Sequence, residues 1–147
     1  MRRMFFLLLI TMVAGLVLAS CGGPPPDTTV ADPPKSTVFE KGGNEKINKL
    51  VNDWMQAGPD EMKNQKVKPE TIEQKLYLST ASLQELAAFY TTLTDKGWHK
   101  VGKLPDVQDG VLLSGYEIGS TTLVINAVDA GQFGGQGILI YTLKGTK

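Results

Sequence analysis

Few side chains in this sequence of 147 residues combine the type and spacing that chemistry requires. There is one cysteine, Cys21, and one histidine, His99. An imidazole works as a general base only beside a nucleophile and an orienting partner. His99 stands instead among Lys96, Lys100 and Lys103, and no G-x-S-x-G elbow occurs, so it reads as a surface histidine. A zinc site would have to take most of its ligands from carboxylates, and these are scattered along the chain. Asp106 and Asp109, in a loop between expected strands, offer at most a weak calcium contact, because no D-x-D-x-D-G loop is present. Gly131, Gly134, Gly135 and Gly137 form the one glycine cluster. A phosphate cradle needs a helix and a lysine after such a loop, whereas this one runs into an expected strand. It reads as a hairpin connection, with Phe133 at its tip as the candidate partner contact. No catalytic residue, metal or cofactor is expected, and the chain is not expected to be an enzyme.

Cys21 stands in a different context. Arg2 and Arg3 open the chain, an apolar run extends from Met4 to Leu18, and Ala19 and Ser20 precede the cysteine. This is the order of a secretory signal: a basic start, an apolar stretch, small residues at the cut. As a helix the apolar run would rise about 22 Å, short of the roughly 30 Å hydrocarbon core of a bilayer. The four residues Leu18-Ala19-Ser20-Cys21 resemble the lipobox of bacterial lipoproteins. The resemblance implies a diacylglyceryl thioether on Cys21, cleavage after Ser20 and acylation of the new amino group. Such a cysteine carries the two or more acyl chains that stable anchoring takes, at about 0.8 kcal/mol per buried methylene. The implied location is outside the cytoplasm, on the outer side of a membrane.

Cleavage at that point would leave 127 residues, enough for one domain. Both arginines would leave with residues 1–20, and thirteen lysines would face fifteen acidic residues. Without arginine the domain lacks the usual bidentate reader of phosphate and guanine, so nucleic acid is not an expected partner. With its one cysteine lipidated, the domain would also have to fold without a disulfide.

Residues 21–43 hold the anchor cysteine followed by GGPPPDTTVADPPKSTVFEKGG, with five prolines. Such a stretch buries too little apolar surface to offset its ordering entropy. It is expected to be a disordered tether reaching roughly 60–70 Å when extended. Residues 44–147 form the expected domain. Ile47, Leu50, Val51, Trp54 and Met55 make one helical stripe, with Asn44 as N-cap and Gly58-Pro59 as the stop. Lys63, Lys66 and Lys68 follow in a polar loop or short helical turn and, like Lys96, Lys100 and Lys103, are expected on a solvated face. Ile72, Leu76 and Leu78 alternate as in a strand. Ser82 and Glu85 form a capping-box pattern ahead of a helix that Gly97 should end. Strands are expected at Trp98–Lys103, Gly110–Ile118, Thr121–Asp129 and Ile138–Lys144, with Gly119-Ser120 as a two-residue turn. Apolar residues on both faces of Thr121–Asp129 mark it as a central strand. The expected fold is α+β in α-β-α-β-β-β order, one or two helices on an antiparallel sheet of about four strands.

The stretch from Ala87 to Trp98, AAFYTTLTDKGW, resembles a pattern of small exported α+β domains that often sit on lipoproteins. That resemblance spans about residues 71–144, rests on packing residues and implies a fold, not an activity. The expectation for function is a membrane-anchored, non-catalytic binding or scaffold domain at the cell envelope, with an unidentified envelope protein or ligand as partner. The alternative is an accessory protein that holds a small apolar or glycan ligand; an enzyme is the third reading, with only the isolated His99 behind it.

Overall fold

The computed structural model describes residues 23–102 and 106–147. The expected signal, Cys21 and Lys103 lie outside the described residues. Among those described, seven strands form one antiparallel sheet. They are β1 (Ser36–Val38), β2 (Glu73–Ser79), β3 (His99–Val101), β4 (Val107–Gln108), β5 (Val111–Ile118), β6 (Thr121–Asp129) and β7 (Ile138–Thr146). Their order across the sheet is β1-β2-β7-β6-β5-β3, with β4 also paired to β5. Two α-helices, α1 (Glu45–Asn64) and α2 (Leu83–Thr91), pack on opposite faces.

The α+β class stands, but the expected sheet of about four strands in α-β-α-β-β-β order is corrected. The additional strands are β1 and β4, of three and two residues, and the expected strand at Trp98–Lys103 shortens to the three residues of β3. Segments this short carry no readable period; the free edges of β2 and β5 decide their pairing. β1 lies inside the stretch expected to be a tether. Its three residues pair with Ser79, Leu78 and Tyr77.

Helix α1 also differs from expectation, since it runs through Gly58-Pro59 to Asn64. Proline clashes with the Cβ and N–H of the residue before it, which usually ends a helix there. Gly58 has no Cβ. It also lets the helix approach the sheet, because a Cβ there would lie 2.5 Å from the Tyr141 hydroxyl and 2.9 Å from Leu143 Cδ1. The buried stripe therefore continues from Ile47 and Val51 to Met62. Trp54 stacks on Tyr141 of β7, ring centroids 5.8 Å apart. Helix α1 thus packs on the sheet.

Helix α2 forms as the sequence predicts. The Ser82 hydroxyl accepts from the Glu85 N–H at 3.1 Å, and the Glu85 carboxylate accepts from the Ser82 N–H at 2.8 Å. These bonds and the Lys35 ammonium hold the Glu85 carboxyl down at about 2. A 3₁₀ turn, Thr92–Lys96, continues the helix to Gly97, whose φ of +87° stops it. Leu86, Tyr90 and Trp98 bury against Leu112, Tyr116, Leu123, Ile125 and Ile140. β6 is central, as its pattern predicts: Leu123, Ile125 and Ala127 face α2, and Val128 faces α1.

Candidate functional site

The two faces of the sheet are covered unequally. Six strands at about 4.8 Å spacing span roughly 24 Å, while one helix is only about 10–12 Å across. α1 lies along β2 and β7 and reaches Val128 at one end of β6. β5 and β3 extend beyond it. The register sets Val101, Gly115, Val124 and Leu143 in one row across β3, β5, β6 and β7. Leu143 is buried beneath α1, whereas Val101 remains 50% exposed. Leu113, next to Gly115 on the same face, is 56% exposed, and Val111 36%.

These residues floor a groove of about 590 Å³, walled by Glu61 and Gln65 near the C-terminal end of α1. Its size falls in the roughly 300–1,000 Å³ range of small-ligand sites. A Cβ added at Gly115 would meet nothing nearer than Val101 Cβ at 3.6 Å, so the groove deepens at this glycine. Apolar residues dominate the floor; polar residues line both sides, Glu61 and Gln65 from α1 and others on the β3 side. There the Lys100 ammonium lies 2.7 Å from Asp106 Oδ2, and Ser114 Oγ donates to Asp106 Oδ1. The Leu113 N–H donates to the Asp106 carbonyl at 2.9 Å. These contacts tie Asp106 to β3 and β5. A carboxylate oriented by an ammonium is a fixed acceptor on the rim, and here it takes the Ser114 hydroxyl's hydrogen bond.

The sequence-predicted chemistry residues do not converge on one point. His99 is exposed on edge strand β3, opposite Glu117. Three residues along β5 separate Glu117 from Ser114, about 10 Å at strand rise. Asp109 turns the chain before β5 with φ +52°, and it lines the same groove as Asp106. Among the described residues no three His, Cys, Asp or Glu side chains gather as a metal-binding group. The glycine loop joins β6 to β7 through a short 3₁₀ turn, Ala130–Phe133. Phe133 is half-buried against the α1-side core, and its carbonyl accepts from Asn44 Nδ2 at 3.1 Å.

A second cavity of about 30 Å³ lies between Val30, Pro33, Tyr77 and Tyr90. That is room for little more than one water. Burial pushes the Tyr77 and Tyr90 hydroxyls above the usual range, and for Tyr77 the Asp32 carboxylate adds to it.

Sequence reasoning missed Val101, Val111, Leu113 and Val124 as a surface. A signal was present in β5, where Val111 and Leu113 are apolar on the parity opposite to Leu112, Tyr116 and Ile118. Two apolar faces mean two cores, or one core and a binding face. No helix among the described residues is long and apolar enough to cross a membrane. Compared with known protein families, curated proteins and solved structures, the chain matches none.

Proposed function

We propose that this protein is a lipid-anchored, non-catalytic binding domain of the cell envelope, attached through Cys21, which binds through the uncovered half of its sheet. The observation that carries the binding reading is the exposed row of Val101, Val111 and Leu113 beside a wall formed by α1. Single exposed apolar residues are ordinary, whereas a contiguous apolar patch with a polar rim is the mark of a binding surface. The anchor reading rests on the sequence order of basic start, apolar run, small residues and cysteine. A second reading, a carrier of a small apolar ligand, is favoured by the groove's volume of about 590 Å³.

Both halves are tested on membrane-extracted protein. Mass spectrometry of the N-terminus should find an acylated Cys21, and an unmodified or uncleaved N-terminus overturns the anchor. For the groove, the affinity of a fluorescent fatty acid should fall about tenfold, roughly 1.4 kcal/mol, in Leu113→Glu. Gly115→Ala, whose added Cβ meets nothing nearer than 3.6 Å, should weaken binding with unchanged circular dichroism. Failure of the probe to bind rejects the small-ligand reading. Binding that neither substitution alters rejects the groove as the site.

A further inference from the structure

The proline-rich stretch that reads as a spacer is instead consumed by the domain. Pro26 lies against the β5–β6 turn, its Cγ 3.3 Å from where a side chain on Gly119 would begin. Val30 packs into the α2-side core. The Tyr77 hydroxyl donates to Asp32 at 2.6 Å, and Ser79 Oγ donates to the Pro34 carbonyl at 2.7 Å. β1 then pairs with β2, and the Phe39 N–H donates to the Leu76 carbonyl at 3.0 Å. Lys41 reaches Asn52 at 2.6 Å and Asn48 Nδ2 donates to the Gly42 carbonyl at 2.7 Å, so the strap stays attached until α1 begins.

We infer that the domain is held directly against the lipid surface, with the Gly119-Ser120 end of the sheet facing it. This rests on the anchor reading, since only a lipidated Cys21 makes the leash matter. Four residues, and so five Cα-to-Cα steps, separate Cys21 from Pro26. Fully extended, they span at most about 18 Å, against the roughly 60–70 Å of a free tether. A domain of this size has a radius of gyration near 14 Å, so the leash is shorter than the domain is wide. The leash also leaves from one defined end. β6 runs from Thr121 to Asp129, so the Gly119-Ser120 turn and the β6–β7 loop lie about 27 Å apart along the sheet. The turn end is therefore held near the headgroups and the loop end is held away.

The surface at the near end has mixed charge. Lys147 pairs with Glu117 at 2.5 Å, and the Asp27 carboxyl is held below its usual range first by hydrogen bonds from Thr29 and then by the Lys96 ammonium. The partner is thus any bilayer surface reached through the anchor, with no requirement for anionic lipid.

The test uses the full lipidated chain in phosphatidylcholine vesicles that contain a headgroup spin label. Cys21 is blocked by lipid, so a fluorophore can be placed at Ser120→Cys or at Gln136→Cys, both exposed positions. Quenching should be several-fold stronger at residue 120 than at 136. A twenty-residue Gly-Ser insertion between Gly23 and Pro24, ahead of the docked strap, should abolish the difference while circular dichroism stays the same. Equal quenching at both sites in protein that floats with the vesicles overturns the leash alone. Protein that does not float and carries an unmodified Cys21 overturns the anchor and the leash together.

Discussion

At the scale of single residues, Gly58 does more for this fold than any residue chosen for its chemistry. Read locally, Gly58-Pro59 is a helix stop. In the fold it is a point of close approach between α1 and β7. Alanine at position 58 would ordinarily help a helix by about 0.5–1 kcal/mol. Here its Cβ would stand 2.5 Å from the Tyr141 hydroxyl, which is held in turn by Gln74 at 2.5 Å. Overpacking of this kind costs about 1–3 kcal/mol and outweighs the propensity gain. Gly58→Ala should therefore lower the urea midpoint, and a midpoint that rises would show the helix free to move away from the sheet.

At the scale of elements, the strap from Pro26 to Phe39 separates this molecule from a domain on a loose linker. It has little apolar surface, and its prolines remove N–H donors. What holds it is what it meets: the free edge of β2, the Tyr77 hydroxyl and Ser79 Oγ. The Phe39 and Thr80 amides, which donate to the Leu76 and Lys35 carbonyls, should exchange with deuterium at least about a hundredfold more slowly than free peptide amides. Exchange of both at the free-peptide rate would mean the strap is undocked in solution. β5 shows the complementary behaviour. It has two apolar faces, and the fold covers only one of them fully.

At the scale of the whole molecule, stability depends on keeping buried phenols neutral. Burial, and after it the Glu61 carboxylate, push Tyr141 up to about 12. The folded value lies above the unfolded value of about 10. The contribution is therefore complete below pH 10 and is lost as pH rises from about 10 to 12. Denaturant midpoints followed by tryptophan fluorescence, with Trp54 stacked on Tyr141, should fall across that window by the equivalent of about 1–3 kcal/mol. Tyr141→Phe should flatten part of the fall; the remainder belongs to Tyr77 and Tyr90, whose hydroxyls are also shifted upward. An unaltered slope in the variant would remove Tyr141 from the account.

Local signals were enough for the parts of this protein that depend on near neighbours. The capping box at Ser82 and Glu85, the stop at Gly97, the Gly119-Ser120 turn and the two-faced pattern of β6 all follow from spacings of a few residues, and the fold contains each of them. The anchor proposal is of the same local kind, resting on the order of residues 1–21. Partners far apart in the chain decided the rest. β1 is a strand because β2 offers an open edge some forty residues later, and α1 passes Pro59 because β7 packs beneath it. The groove exists because one helix is narrower than six strands. A period in the sequence reports which way a side chain points along its own element, whereas covering a sheet depends on how many elements arrive at each face. Only the tertiary structure decides that.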